Sequence, residues 1–333
     1  MLSPCVGNKG KVNDIMKRSI RIAGIILLLL AVFLLALFSY HNVMLEQERP
    51  LREPTGELEE VDGHHMCVST EGSGDTTLVF MAGSGTSSPI YDFKSLGSLL
   101  SDEYRVTVVE KFGYGFSDVV DRKRDVDTML EDTRAALAAA GLKAPYVLCP
   151  HSMSALEAIY WAQKYPDEVE AIVGLDPAVP EYYNDPRVTN LGMVRLAYIG
   201  SKLGIIRLIP GLDESEAMKH GTLTEEEKEI CRAVFYARTL TRTMLNESEA
   251  AEENARKVDE GGVPQVPMIF FTSDGSDSAM GKEEWRRIQK DYIDKVPQGR
   301  QVLLDCPHYV HDYEYDRISR EIKEFLKHER DHN

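Results

Sequence analysis

The chain has 333 residues, 43% of them hydrophobic and 8% aromatic, which is a globular composition and excludes a fibrous or disordered protein. The formal charge at pH 7 is −16; residues 1–45 carry a net +4, and the remainder carries −20. A main domain this acidic argues against nucleic acid or anionic lipid headgroups as its partners.

An uncharged apolar stretch covers residues 22–40. Its 19 residues, at about 1.5 Å each, span roughly the 30 Å hydrocarbon core of a bilayer, which predicts a transmembrane helix. A cleaved signal peptide is the alternative, but its apolar region is normally about 7–15 residues long and precedes small residues. Residues 36–40, Ala-Leu-Phe-Ser-Tyr, do not fit a cleavage site, which favours a retained anchor.

Charges on either side of this stretch indicate its orientation. Five basic residues precede it, and the acid-rich residues 46–60 follow it. The positive-inside rule predicts residues 1–21 in the cytoplasm and a single-pass membrane protein whose main domain is extracytoplasmic. Residues 41–55, with two prolines, are expected to form a stalk short enough to hold that domain near the bilayer.

The folded domain is expected to begin at Gly56, with a hairpin around Asp62-Gly63. Apolar runs then alternate with helical patterns, which predicts an α/β fold with a mostly parallel central sheet and helices on both faces. The predicted buried strands are 78–81, 105–109, 146–149, 171–175, 268–271 and 302–304, and the predicted helices are 127–140, 154–164 and 315–327.

Residues 181–262 interrupt this alternation. Helical patterns occur at 191–203 and 224–240 without a convincing strand, which predicts an inserted helical lid between core segments 56–180 and 263–333. The five cysteines, at positions 5, 67, 149, 231 and 306, lack disulfide or metal spacing and are expected to be buried free thiols.

Ser152 is the candidate nucleophile. It lies between the predicted strand 146–149 and the helix that begins near Ser154. A serine on a tight strand-to-helix turn is exposed above the sheet, and the helix N-terminus directs backbone N–H groups toward it. Pro150 and Ser154 replace the two glycines of the G-x-S-x-G pattern, so the flanking strand and helix carry the prediction.

A serine nucleophile needs a base, which a carboxylate orients. His308 follows the last predicted strand and is favoured as the base over His311. The loop after strand 268–271 offers Asp277, which is favoured, and Asp274, although acidic residues are also ordinary in turns.

The loop 82–88, Ala-Gly-Ser-Gly-Thr-Ser-Ser, follows the strand 78–81. The backbone N–H of Ser84 is expected to pair with that of Met153 as an oxyanion hole. A phosphate-binding loop is the competing interpretation, but the loop lacks the Lys-Ser/Thr ending and the G-x-G-x-x-G spacing.

Four segments, taken in order, resemble the α/β-hydrolase superfamily, in the branch that includes prolyl iminopeptidases and lipid-like esterases. They are residues 80–85 (FMAGSG), 110–118 (EKFGYGFSD), 150–154 (PHSMS) and 306–308 (CPH). The resemblance implies Ser152 as nucleophile, His308 as base, Asp277 or Asp274 as acid, and Ser84 and Met153 as oxyanion-hole positions. It also implies that residues 111–118 shape a loop near the site.

Some positions depart from the family pattern. Ala82 stands where a histidine is frequent, and Glu110 stands where aspartate is usual. The serine at the elbow argues against dehalogenases and most epoxide hydrolases of this fold, which use a carboxylate there.

The favoured function is a serine hydrolase that cleaves an ester or amide of a small-molecule or lipid-like substrate through an acyl-enzyme, without a metal or organic cofactor. An aminopeptidase is a further possibility within this class of serine hydrolases. It would need a carboxylate in the lid to bind the free amine of the substrate, and Glu181, Asp185 and the acidic run 225–229 are available. The other hypothesis is a catalytically silent fold that serves as a surface binding module.

Overall fold

A computed structural model describes residues 7–188 and 190–332. Cys5 and the first six residues of the predicted cytoplasmic segment lie outside this range. Within it, eight strands form one sheet: β1 (Glu57–Val61), β2 (His64–Glu71), β3 (Thr77–Met81), β4 (Arg105–Glu110), β5 (Tyr146–Pro150), β6 (Val169–Leu175), β7 (Met268–Thr272) and β8 (Gly299–Leu303).

The spatial order is β1-β2-β4-β3-β5-β6-β7-β8. The β1–β2 and β2–β4 pairs are antiparallel, and every pair from β4 to β8 is parallel. The carboxyl ends of the parallel strands therefore meet at one edge of the sheet, where loops from separate parts of the chain converge.

The helices in the same range are α1 (Gly7–Gln47), α2 (Pro89–Asp92), α3 (Lys94–Leu100), α4 (Val126–Ala139), α5 (Ser154–Lys164), α6 (Leu191–Lys202), α7 (Glu216–His220), α8 (Glu225–Arg238), α9 (Arg242–Glu260), α10 (Lys282–Ile293), α11 (Val310–Tyr313) and α12 (Tyr315–His332). Short 3₁₀ segments occupy Arg49–Arg52, Pro166–Glu168, Pro180–Asn184 and Ile205–Leu208.

Helices cover both faces of the sheet, because the side chains of the buried strands alternate between two apolar cores. In β5, Tyr146 and Leu148 pack in the core that contains α4, α5 and α10, whereas Val147 and Cys149 pack in the core that contains α3 and α12. The predicted α/β fold with a mostly parallel sheet is confirmed. Four cysteines in the described range are free and buried, as expected.

The predicted lid is helical. Helices α6 to α9 fill it, and its described residues contain no strand. Helix α8 begins with a capping box, in which Thr224 and Glu227 bond each other's backbone N–H groups. The core that contains α4, α5 and α10 extends into the lid through α9, whose Ala251, Ala255 and Val258 are buried.

Helix α1 is long and apolar enough to cross a membrane, with a mean hydropathy of 3.0 in its most apolar window. The first residues of the segment expected to form a stalk continue this helix, and two residues of that segment, His41 and Glu48, contact the lid. Helix α1 continues to Gln47, and His41 is buried. Arg207 donates from Nε to His41 Nδ1 at 2.9 Å and from both terminal nitrogens to Glu48 at 2.7 Å.

Glu110, at the end of β4, shapes the following loop. Its fully buried carboxylate accepts the N–H of Phe116 at 2.6 Å, and Ser117 Oγ donates to the Glu110 carbonyl. Gly115 has φ +46°, and any Cβ there would lie about 2.0 Å from the carboxylate. The Gly115 N–H bonds the Ser87 carbonyl, which links this loop to the loop after β3.

Burial raises the pKa of Glu110 from 4.5 to about 7, although the N–H donors oppose the shift. The folded state thus holds this proton more tightly than the unfolded chain. We expect Glu110 to lower stability as pH rises from about 4.5 to about 7, by roughly 3 kcal/mol.

Glu110→Gln in the detergent-solubilised full-length protein should flatten this part of the profile, which is measured by denaturant unfolding at successive pH values. The exposed Glu60→Gln serves as the control and should leave the profile unchanged. Parallel profiles for Glu110→Gln and the unmodified protein would contradict the assignment.

Candidate active site

Ser152 lies on a sharp turn between β5 and α5. Its φ of +53° is in the left-handed region, which a non-glycine residue adopts only when its surroundings enforce it. The His151 N–H bonds Met81 O in β3 at 2.9 Å, and the Ser152 N–H bonds Leu175 O in β6 at 3.3 Å. The two neighbouring strands thus hold the turn from both sides.

The missing glycines of the turn are replaced by residues with structural contacts. Pro150 is the last residue of β5 and lies opposite Met81 of β3. Proline has no N–H, and the N–H of the next residue, His151, makes the hydrogen bond to Met81 O. Ser154 is buried, and its Oγ lies 2.6 Å from Met81 O and 2.8 Å from His151 O. The hydroxyl of Ser154 therefore fastens the turn where a glycine would leave the backbone unsupported.

The loop after β3 lies directly against Ser152. A Cβ built on Gly83 would be 2.8 Å from Ser152 Cβ and 2.9 Å from His151 Nδ1, so only glycine fits. Within the described residues, the backbone N–H groups of Ser84 and Met153 bond no protein acceptor. Both N–H groups are thus available to a ligand, as an oxyanion hole requires.

His308, in the loop after β8, bonds a carboxylate other than the two expected from the sequence. Its Nδ1 lies 2.5 Å from Asp176 Oδ2. Asp176 follows β6, is fully buried, and accepts through Oδ1 from Ser273 N, Trp285 Nε1 and Gln289 Nε2 at 2.8, 2.8 and 3.1 Å. Because an ionised carboxylate only accepts, His308 carries its proton on Nδ1 and leaves Nε2 as the basic nitrogen.

The two expected acids do not bond the His308 ring. Asp277 is exposed, and its Oδ2 lies 3.4 Å from the backbone nitrogen of His308. Asp274 accepts the N–H of Ser276, and hydrogen bonds from Ser276 lower its pKa. The carboxylate in contact with the His308 ring is therefore that of Asp176, in place of the expected Asp277 or Asp274. The sequence does carry one indication of Asp176: it is a charged residue directly after the buried strand β6, and β6 pairs with β5, the strand that leads to Ser152.

His311 is fully buried, and its Nε2 bonds Asp92 at 2.9 Å, away from the position that His308 occupies. Asp92, His151 and His311 place potential metal ligands within 4.8 Å of one another. Imidazole and carboxylate suit zinc, but two of these three groups already satisfy each other. Burial, together with the neighbouring histidines, keeps the pKa of His151 well below its usual range, so that ring is neutral.

A cavity of about 200 Å³ separates the core from the lid. The core side includes Gly85 and Thr86, next to Ser84, and Tyr309, next to His308. The lid side combines apolar and acidic side chains, namely Leu212, Asp213, Glu216, Met218 and Phe235. The cavity is therefore lined by the loop that follows β3 and by the residue after His308, whereas Ser152 and His308 themselves are not among its lining residues.

Comparison with known proteins agrees with this fold. Residues 76–196 match the α/β hydrolase fold family. The chain is 34% identical over 298 residues to the uncharacterized protein YbdG of Bacillus subtilis (strain 168), covering 88% of this chain and 92% of YbdG. The chain belongs to the α/β-hydrolase fold family.

Solved structures share the fold at low sequence identity. An epoxide hydrolase from Vigna radiata is 20% identical with a TM-score of 0.64, covering 83% of this chain and 99% of the other. A thermophilic esterase from Thermogutta terrifontis is also 20% identical, with a TM-score of 0.62 and coverage of 82% and 98%. Different hydrolase activities thus occur on this fold, and the site residues must decide among them.

The assignment of the acid predicts a difference between two aspartates. Asp176→Asn should slow labelling of Ser152 by a fluorophosphonate probe by roughly 10⁴-fold, since an amide favours the wrong tautomer of His308. Asp277→Asn should label at nearly the original rate. Labelling rates of the two full-length variants test this, with circular dichroism as the check on folding. A slow Asp277→Asn and a fast Asp176→Asn would reverse the assignment.

Proposed function

We propose that the protein is a serine hydrolase that cleaves carboxylic esters. Ser152 is the nucleophile, His308 the general base, Asp176 the acid that orients it, and the N–H groups of Ser84 and Met153 form the oxyanion hole. The observation that carries the proposal is the 2.5 Å contact of His308 Nδ1 with the buried Asp176 carboxylate. Ser152, held at positive φ, directly follows His151, whose ring centroid lies 4.6 Å from that of His308.

The proposed reaction has two halves. Ser152 Oγ attacks the ester carbonyl while His308 Nε2 takes the hydroxyl proton, and the two N–H groups stabilise the negative oxygen that forms. His308 then returns the proton to the leaving alcohol, which gives an acyl-enzyme. Water, activated by the same nitrogen, attacks the acyl carbonyl, and the acid and free Ser152 are regenerated.

We further propose that α1 anchors the enzyme in a membrane, with the catalytic domain on the extracytoplasmic side. Basic residues precede the apolar stretch and acidic residues follow it. Packing supports a retained anchor over a cleaved signal, because Leu37 and His41 are buried and Glu48 pairs with Arg207 of the lid.

Aminopeptidase activity is a second candidate, because three carboxylates line the cavity: Asp92, Asp213 and Glu216. These carboxylates are not the ones that the sequence offered as candidates for binding the amine. Glu181 pairs with Arg287, Asp185 with Arg187, and Glu227 of the acidic run with Lys94, and none of these acids lines the cavity. A free amine would bind the three cavity carboxylates in competition with their protein partners, since Asp92 bonds His311, Asp213 lies 3.8 Å from Arg232 and Glu216 pairs with Lys219.

Ser152→Ala should abolish hydrolysis of p-nitrophenyl esters, with a loss of about 10⁶-fold in kcat, because no other group attacks the carbonyl. The measurement uses full-length protein, since residues 37–48 pack on the lid, and compares esters of increasing chain length with aminoacyl-nitroanilides. Cleavage of the nitroanilides alone would select the aminopeptidase. A folded protein that cleaves neither class and does not react with a fluorophosphonate would support the silent binding module.

Gly83→Ala should lower kcat by roughly 10²–10³-fold, because the new methyl group displaces the oxyanion loop from Ser152. The matched control is Gly192→Ala, where a Cβ meets nothing closer than 3.4 Å. Steady-state kinetics on one short ester test both variants. A folded Gly83→Ala enzyme with unchanged kcat would contradict the proposed oxyanion loop.

A further inference from the structure

The lid presents an unusual apolar surface, residues 191–212, which comprises α6 and the following 3₁₀ turn. Seven of the eleven large apolar side chains that are exposed in residues 49–332, outside α1, lie in this segment: Met193, Leu196, Ile199, Ile205, Leu208, Ile209 and Leu212. Exposed apolar residues are normally scattered singly, so a cluster of this size marks an interaction surface.

The charges of this segment differ from those of the domain around it. Residues 186–212 contain no Asp or Glu, whereas the chain after residue 45 carries a net −20. Arg195, Lys202 and Arg207 are the charged residues of the apolar segment. Arg207 is buried against Glu48, so Arg195 and Lys202 are the basic residues exposed beside the apolar side chains, a combination that is typical of helices that lie in a membrane interface.

The apolar segment also contacts α1, at the point where the proposed transmembrane stretch ends. A Cβ on Gly204 would lie 2.5 Å from His41 Cβ, so the turn after α6 contacts His41 directly. His41 follows residue 40, the last of the apolar stretch, by about 1.5 Å along the helix axis. The headgroup region is roughly 5–8 Å thick on each side of the hydrocarbon core.

Leu37, three residues inside the apolar stretch, is only 6% exposed, which a lone helix cannot achieve. Protein atoms therefore cover one side of α1 at the last helical turn of its apolar stretch. The Arg207 contacts with His41 and Glu48 make this arrangement specific, because the Arg207 side chain is 7% exposed and its guanidinium pairs with Glu48 through both terminal nitrogens.

We propose that residues 191–212 form a second membrane contact, in which the exposed apolar side chains of the lid insert into the boundary between headgroups and acyl chains. Leu212 belongs to this segment and also lines the cavity beside the proposed site. A bilayer-resident ester therefore reaches the cavity along the lid without crossing water. This access route rests on the proposed function, whereas the membrane contact does not.

The membrane contact is tested in phosphatidylcholine nanodiscs with the full-length protein. In a Cys5→Ser background, where the four remaining cysteines are buried, an environment-sensitive fluorophore is attached at Leu196→Cys or Ile209→Cys. The control is Lys143→Cys, an exposed position that precedes β5, at the sheet edge opposite the site.

Spin-labelled lipids should quench the fluorophore at positions 196 and 209 and leave the one at 143 bright. Equal, weak quenching at all three positions would overturn the proposal. Chain-to-chain cross-linking through position 196 without lipid quenching would also overturn it, since the segment would then contact a second copy.

The access route is tested with the double variant Leu196→Glu/Ile209→Glu. The ratio of its rate on a long-chain ester in vesicles to its rate on a short soluble ester should fall roughly tenfold, because charged side chains are disfavoured in the interface. Leu303→Glu, at an exposed leucine of β8, should leave the ratio unchanged. An unchanged ratio in the double variant overturns the route, whereas inactivity of the unmodified enzyme on both esters refutes the proposed function and leaves the quenching result standing.

Discussion

The buried carboxylate of Asp176 is the interaction on which the rest of the site depends. Burying a negative charge is costly unless hydrogen bonds compensate it, and four donors do so here. They come from the loop after β7, from α10 and from the loop after β8, so one side chain connects three separate parts of the chain. The orientation of His308 is a consequence of this network.

The sequence was sufficient to predict the strands, the flanking helices, the lid and the serine turn, because each depends on local periodicity and turn chemistry. The proposed acid, Asp176, was not predictable in this way. Three of the four donors to Asp176 are side chains more than 100 residues further along the chain, and nothing local marks the residue except its place after β6. Asp277 lies nearer the expected position but contacts only the His308 backbone.

The N-terminal helix shows the same difference between a local property, which the sequence predicts, and long-range packing, which it does not. Hydropathy alone predicts a membrane-spanning length at the N-terminus, since that property is local. The docking of the helix end depends on Arg207 and Glu48, which are 159 residues apart. Polar residues after an apolar stretch suggested a stalk, but here they are the partners of a lid arginine.

The cavity is lined by both apolar and acidic side chains, which would favour different groups on a bound molecule. Leu212, Met218 and Phe235 accept apolar groups, whereas Asp92, Asp213 and Glu216 repel negative charge. A neutral or cationic amphiphile satisfies both demands, and an anionic one does not. Ester hydrolysis turns a neutral acyl group into a carboxylate, so the product acquires the charge that the cavity disfavours. Under the proposed function, the acidic lining would select against anionic substrates and favour release of the acid once the acyl-enzyme is cleaved.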